Sequence, residues 1–258
     1  ALGSLSVMLR GVAFRAGWTA GTIARIIAAM YGTLQYLLAA MFVFIAGHVI
    51  LASLPVRQGL IKALGEKGFR VLFSVFALAT LVWVIHAYGV APRTEIWPAD
   101  PALRHVPLLV MPLACILLVA GLTTRSMTMV GGETMDAAPA TGILTITRHP
   151  FLWAVALWGL VHALANGDHA SLVLFLGMAL LAFLGMVHID HRRERQLGAA
   201  WGPMALTTSV IPFQAAIQGR CKLDWAGIGW PRTLGGLALY AALLLAHQWI
   251  AGVALLPG

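Results

Sequence analysis

Residues 150–190 read PFLWAVALWGLVHALANGDHASLVLFLGMALLAFLGMVHID, and this stretch decides the fold. Two apolar runs, 150–166 and 171–189, flank an Asn-Gly-Asp sequence that is typical of a tight turn. Each run comes close to the about 20 residues that an α-helix needs to cross roughly 30 Å of hydrocarbon. The stretch therefore predicts an antiparallel hairpin of two membrane-spanning helices.

The apolar pattern continues on both sides of this hairpin. Further spans are predicted at 34–54, 69–90, 105–122 and 234–254. Of the 258 residues, 60% are apolar and 10% are charged, whereas a soluble domain carries roughly 45–50% and about 25%. This composition excludes a cytosolic enzyme, a disordered tail and a disulfide scaffold. We predict an all-α, polytopic transmembrane helical bundle of about six spans.

The spans define one transmembrane domain over 34–258, preceded by a basic segment, 1–33. This segment contains three arginines and no acidic residue among many Gly and Ala residues. A targeting leader and an amphipathic surface helix both match such a composition, so we assign the segment no function.

Basic residues are distributed unevenly between the two predicted sides of the bundle, although the formal net charge of +8 covers the whole chain. Because Lys and Arg accumulate in cytoplasmic loops, the richer side is predicted to be cytoplasmic and both termini periplasmic, in a bacterial inner membrane. These cations orient helices and contact anionic lipids, so we expect membrane lipids and no nucleic acid as partners. The richer side carries Arg57, Lys62, Lys67, Arg70, Arg125, Arg148, Arg192, Arg193, Arg195, Arg220, Lys222 and Arg232.

Several of the nine histidines fall where the chain should be apolar. Ionisable groups at membrane depth are costly and usually face the bundle interior, where they bind a ligand or relay protons. Imidazole is a common haem iron ligand, and the spans lack the carboxylates of a di-iron or magnesium site. A haem b held by two histidines fits best, although copper or zinc would accept the same ligands. The histidines in or beside the spans are His48, His86, His162, His188 and His247.

The depth of each histidine in its span tests which of them share a site. His48 lies on the order of 9 Å, and His162 on the order of 18 Å, from the predicted cytoplasmic ends of their spans. Helix tilt and errors in the predicted span ends can absorb this offset, but His247 lies nearer the level of His162. We therefore keep His247 as a rival ligand.

Arg148-His149-Pro150 opens the fourth span and has two interpretations. It is either a helix start with an interfacial arginine or a grip on an anionic group, such as a haem propionate or a cofactor carboxylate. In the second interpretation Trp153 and Trp158, further along the same span, supply an aromatic wall for the cofactor and an apolar substrate.

Several motifs together resemble the NnrU family, which is related to plant and cyanobacterial 15-cis-zeta-carotene isomerase. The resemblance covers about residues 36–254. It is carried by Gly47-His48 with Pro55-Val56-Arg57, by ITRHP at 146–150, by HALANGD at 162–168, and by TSVIPF at 208–213 with Gly219-Arg220.

The resemblance implies an integral membrane protein with haem b, in which the isomerase relative uses reduced iron to rotate the central cis double bond of a carotene. The proposed iron ligands of the family fall at His48 and His162. A cysteine proposed as an alternative ligand in the plant isomerase falls at Gly159, so the resemblance does not extend to ligand exchange. Bacterial members are associated with nitrite and nitric oxide metabolism.

A second resemblance is to membrane methyltransferases of the isoprenylcysteine carboxyl type. It rests on Arg148-His149-Pro150 with ERQL at 194–197 and Trp-Gly at 201–202. In those enzymes the corresponding residues contact S-adenosylmethionine. Only Glu194 remains of their paired glutamates, so we interpret the likeness as shared architecture with a changed cofactor.

Three functions follow from these interpretations. The first is a haem-dependent isomerase or redox protein acting on a lipid-soluble, carotenoid-like polyene. The second is a non-catalytic haem sensor or accessory protein of nitrite and nitric oxide metabolism, working with a membrane redox partner or a larger complex. The third is an S-adenosylmethionine-dependent membrane methyltransferase.

Overall fold

In a computed structural model, the part of the chain that the structure describes contains six long helices, numbered α1 to α6, and several short ones. The structure describes residues 29–98, 100–129 and 140–253, so most of the N-terminal segment 1–33 lies outside the described residues. The predicted all-α helical bundle is confirmed. The helices are α1 Leu34–Ala52, α2 Leu54–Val90, α3 Pro101–Thr123, α4 Pro150–Asn166, α5 His169–Leu197 and α6 Trp230–Ala251.

Five of these six helices are long and apolar enough to cross a membrane, which supports a multi-pass membrane protein. The remaining helix, α4, has 17 residues, which give a length of about 26 Å. It corresponds to the fourth of the six predicted spans. It packs between α3 and α5. These two longer helices flank it on both sides.

Helix α2 differs most from its predicted boundaries because it begins at Leu54 rather than near residue 69. Pro55 lies in its first turn, where a missing backbone N–H costs nothing. Gly65 then takes φ 74°, a left-handed conformation that suits glycine and kinks the helix. The kink separates a basic first part, 54–64, from the apolar part that crosses the membrane.

The predicted turn between α4 and α5 is confirmed, and its residue types explain it. Gly167 ends α4 with φ 68°, and its N–H donates to the carbonyl of Ala163. Asp168 then caps α5, because its side chain accepts the backbone N–H of Ser171 at 2.9 Å. The two helices consequently run antiparallel, as the hairpin prediction requires.

Small residues bring neighbouring helices into close contact across the row α2, α1, α5, α4, α3, α6. A methyl group added at Gly159 of α4 would lie 2.5 Å from the carbonyl oxygen of Phe175 in α5. One added at Gly177 of α5 would lie 2.6 Å from the sulfur of Met41 in α1. Each of these contacts requires a glycine at its position. The two contacts therefore set the positions of α4 and α1 along α5.

We expect Gly159→Ala to lower the free energy of unfolding by about 1–3 kcal/mol, because the added methyl group meets backbone that cannot move alone. The matched control is Gly185→Ala in α5, whose methyl group would lie 3.5 Å from Leu152. That control should be neutral or stabilising by about 0.5–1 kcal/mol through helix propensity. Unfolding by dodecyl sulfate in mixed micelles measures both, and equal effects would contradict the close approach at Gly159.

The twelve basic residues assigned to the richer side gather at one end of the bundle, which we call the basic end. There α1, α3 and α5 end and α2, α4 and α6 begin. For example, Arg232 at the start of α6 donates to Thr123 at the end of α3 at 3.1 Å. The opposite end carries Arg93 and Arg104 among the described basic residues.

Candidate functional site

His162 lies in an aromatic environment near the C-terminal end of α4. Its Nδ1 is 2.8 Å from the carbonyl oxygen of Trp158, one turn earlier. A carbonyl only accepts, so Nδ1 carries the proton and the lone pair is left on Nε2. The ring packs against Phe175 of α5 and against Trp158, with centroid distances of 5.2 and 5.6 Å. A histidine held by a second-shell carbonyl in this way is prepared to bind a metal through Nε2. We call His162, Trp158 and Phe175 the His162 group.

His48 in α1 is held in the same manner. Its Nδ1 donates to the carbonyl oxygen of Phe44 at 2.7 Å, which again leaves Nε2 as the ligating atom. Its ring contacts Phe44 in α1 and Phe73 in α2 at centroid distances of 4.5 and 5.3 Å. Both histidines therefore have the donor chemistry that haem iron requires.

The structure does not bring His48 and His162 together. Met41 in α1 contacts α5 at Gly177, and His48 follows Met41 by seven residues, at the level of about residue 184. His162 contacts α5 at Phe175. The two imidazoles are therefore separated by about 13 Å along α5. One iron needs both nitrogens within bonding distance, so the His48–His162 ligand pair stays a prediction.

His247 in α6 lies nearer to His162. The imidazole of His247 lies within electrostatic range of the imidazole of His162. The Nδ1 of His247 donates to the carbonyl oxygen of Val253 at 2.9 Å, so this histidine also keeps Nε2 for a ligand. His247 therefore stays the predicted rival ligand, with Nε2 available for a metal.

Arg148 and His149 form a second polar centre at the basic end, about 22 Å along α5 from His162. The Nε2 of His149 donates to Asp190 Oδ1 at 2.8 Å, and Arg148 Nη1 lies 3.3 Å from Asp190 Oδ2. The side chains of His149 and Arg148 are only 2% and 11% exposed. We call Arg148, His149, Asp190 and Trp153 the basic-end group.

Burial governs the electrostatics of the basic-end group. It lowers the pKa of the Arg148 guanidinium, an effect that the Asp190 carboxylate opposes and Arg220 reinforces. Nε of Arg148 is buried and has no hydrogen-bond partner among the described residues. Its guanidinium also lies 5.7 Å from the ring of Trp201. The carboxylate of Asp190 is thus shared by two basic side chains, Arg148 and His149. Such an arrangement favours the binding of an anion.

The TSVIPF motif forms the wall that holds the start of α4. Thr147 Oγ1 and Trp153 Nε1 both donate to the carbonyl oxygen of Val210 at 2.8 Å. The backbone N–H of Arg148 donates to the carbonyl of Ser209 at 3.0 Å. Two motifs that are 60 residues apart in the chain therefore form one structural unit around Arg148 and His149.

The HALANGD motif has a different role, because it docks the loop after α2 beside the His162 group. The carbonyl of Gly167 accepts the N–H of Ile96 at 2.8 Å, and Trp97 Nε1 donates to the carbonyl of Leu164 at 3.2 Å. Asn166 Nδ2 donates to the carbonyl of His162 itself at 2.8 Å. The motif consequently braces the end of α4 that carries His162.

A polar network that the sequence did not indicate completes this end of the molecule. Arg93 donates to Tyr88 Oη at 2.7 Å, Tyr88 Oη is 3.1 Å from Ser171 Oγ, and Ser171 Oγ donates to Asp168 at 2.5 Å. Tyr88 also contacts Phe175, the ring that packs on His162. The sequence did contain a clue to this network. Arg93 and Asp168 carry opposite charges and lie beside two predicted span ends.

Haem places modest demands on the protein. Among the described residues, no cluster of three or more His, Cys, Asp or Glu side chains is placed to hold a metal ion. Haem iron needs only one or two protein ligands, because the porphyrin supplies the others. His162 fits such a role individually, and Trp153 and Trp158 stay predicted cofactor contacts, Trp158 beside His162 and Trp153 in the basic-end group.

Comparison with known proteins agrees with this architecture. A family model described as "NnrU protein" matches residues 36–255. The chloroplastic 15-cis-zeta-carotene isomerase of Zea mays is 29% identical over 188 residues, which cover 70% of this chain and 50% of the relative. The isomerase of the same name from Arabidopsis thaliana is 29% identical over 170 residues, covering 62% and 44%. The chain thus spans about half the length of these curated relatives. No solved structure matches it significantly.

Proposed function

Because the chain belongs to the NnrU family, we propose that it is a membrane haem b protein that isomerises a double bond of a long, lipid-soluble polyene. The observation that carries the proposal is His162, an intramembrane imidazole surrounded by aromatic rings with Nε2 left to ligate. The similarity to plant isomerases named for a carotene substrate supports the same chemistry.

In this proposal His162 would hold the iron through Nε2, and His247 would be the favoured second ligand. His48 is the alternative second ligand and would require α1 to move along α5. When bound, haem b would supply a redox-active iron beside the substrate. Trp158 and Phe175 orient the His162 ring and provide flat apolar surfaces against which a conjugated polyene can pack.

We place the protein in a bacterial inner membrane with its basic end in the cytoplasm, following the bias of Lys and Arg. Arg148 and His149 would then lie at the cytoplasmic surface. Their role as contacts of a haem propionate or another anionic group stays a prediction, and they lie about 22 Å along α5 from His162. They form an anion-attracting centre of their own.

The test of this proposal is isomerisation by the purified full chain, expressed with haem supplementation and reduced with dithionite. We expect a Soret band with sharp reduced α and β bands, and loss of the 15-cis bond from added zeta-carotene, followed by chromatography. The oxidised protein should leave the substrate unchanged. Retention of the 15-cis bond by reduced, haem-loaded protein would exclude the reaction, and a colourless protein would exclude the cofactor.

A non-catalytic haem protein is the second candidate, and two histidines that both stay on the iron would favour it, whereas the isomerase needs one of these positions to open. Iron with two axial histidines has no open position for a substrate or gas. Carbon monoxide distinguishes the candidates, because it should shift the reduced spectrum only where one position is open or easily vacated. An unperturbed spectrum together with unconverted substrate would support electron transfer in place of isomerisation.

A further inference from the structure

The C-terminal part of α5 presents two chemically different faces at the basic end. With about 100° between successive residues, Asp190 and Arg193 lie on the face that meets the basic-end group. His188, His191, Arg192 and Arg195 lie on the opposite face. The second face is separate from the site already described, because α5 itself lies between them.

This second face closes a small cavity against the junction of α1 and α2. The cavity has a volume of about 190 Å³ and its charged and titratable lining residues are all basic. The Nε2 atom of His188 is buried there without a hydrogen-bond partner among the described residues. The cavity is lined by Ser53, Leu54, Pro55, His188, His191, Arg192 and Arg195.

The first turn of α2 adds to the positive potential of the cavity. Helix α2 begins at Leu54, and the first part of the helix runs to the kink at Gly65. The N-terminus of a helix carries about half a positive charge, which favours a bound anion. Two described carboxylates near this end pair with residues outside the cavity lining, since Asp190 pairs with Arg148 and His149, and Glu66 pairs with Arg57 and Arg70.

An apolar groove follows the same seam between α1 and α5 into the membrane. It has a volume of about 300 Å³ and is lined by residues such as Leu38, Phe42 and Leu180. From Leu180 to His188 the distance along α5 is about 12 Å. The basic cavity and the apolar groove thus lie on the same seam between α1 and α5, the cavity nearer the basic end.

We propose that this seam binds one anionic phospholipid, with its phosphate group in the basic cavity and an acyl chain along the apolar groove. The basic residues that line the cavity favour an anionic phosphate group, and the apolar groove favours a ligand with a hydrocarbon chain. A lipid satisfies both, whereas free phosphate satisfies only the first. Because the site lies on the far side of α5 from the basic-end group and from His162, it is independent of the proposed isomerase function.

The test is lipid binding to the purified full chain in a neutral detergent, followed by native mass spectrometry. We expect phosphatidylglycerol to remain bound in a one-to-one complex and phosphatidylcholine to dissociate more easily. The double variant Arg192→Gln/Arg195→Gln should bind phosphatidylglycerol about tenfold more weakly, because it removes two cations from the cavity.

The matched control is Lys62→Gln/Lys67→Gln, which removes the same charge from exposed positions of α2 outside the cavity. It should bind phosphatidylglycerol like the wild type. His188→Gln is a milder variant, expected to weaken binding without removing a guanidinium. Equal losses in both double variants, equal retention of the two lipids by the wild type, or displacement of phosphatidylglycerol by millimolar inorganic phosphate would overturn the proposal.

Discussion

His162→Ala is expected to abolish haem retention, giving a purified protein without the Soret band and without isomerase activity. The substitution removes the Nε2 ligand and leaves an apolar space among Trp158 and Phe175. Axial ligation is part of what holds a non-covalent haem in a protein, and His162 is the ligand on which the proposal rests. Absorption spectra of the oxidised and reduced protein, normalised to protein concentration, measure the effect directly.

The second ligand is identified by the same spectra of His247→Ala and His48→Ala. We expect His247→Ala to change the reduced α and β bands, because His247 is the favoured second ligand in the proposal. His48→Ala should retain the wild-type spectrum, since His48 lies about 13 Å away along α5. The reverse outcome would show that α1 shifts on haem binding and that the ligand pair implied by the family resemblance is correct.

His86→Ala is the control for these variants. His86 is an exposed histidine of α2 whose ring contacts Tyr31 at a centroid distance of 5.8 Å. Its removal should change neither the haem content nor the spectrum. Loss of haem from His86→Ala would mean that histidine substitutions destabilise the bundle generally, and His162 would then lose its assignment as a ligand.

The fold was largely predictable from the sequence because membrane helices follow a simple physical rule. A span needs about 20 apolar residues, and Pro55, Gly167 and Asp168 have clear preferences at helix ends. The start of α2 was not predictable in the same way. Residues 54–64 are too basic to enter lipid, but nothing in them prevents a helix at the surface, and the kink depends on the conformation of Gly65.

The arrangement of the site was less predictable, although most of its residues were identified. The residue types alone identified the candidate site residues, because ionisable groups are rare at membrane depth and at span starts. These residues are His162, His48, Arg148 and His149. Their separation into distinct places depends on how α1 and α4 align against α5, which small contacts such as Met41 on Gly177 determine. A sequence pattern carries no information on that alignment between helices.

Asp190→Ala is expected to lower the free energy of unfolding by about 3 kcal/mol, because it leaves the buried Arg148 without its carboxylate. His149, which is 2% exposed in its side chain, loses its hydrogen-bond acceptor in the same step. Asp190→Asn should cost less, since an amide oxygen can still accept the proton of His149 Nε2. Dodecyl sulfate unfolding followed by tryptophan fluorescence measures both variants.

Glu66→Ala is the matched control, because Glu66 also serves two arginines but is 41% exposed in its side chain. Solvent screens such a pair, so the expected loss is at most about 1 kcal/mol. A double-mutant cycle of Asp190→Asn with Arg148→Gln then isolates their interaction. A substantial interaction energy would mean that Asp190 holds Arg148 in place. A loss no larger than that of Glu66→Ala would instead mean that water reaches the basic-end group, which would then be an ordinary solvated helix start.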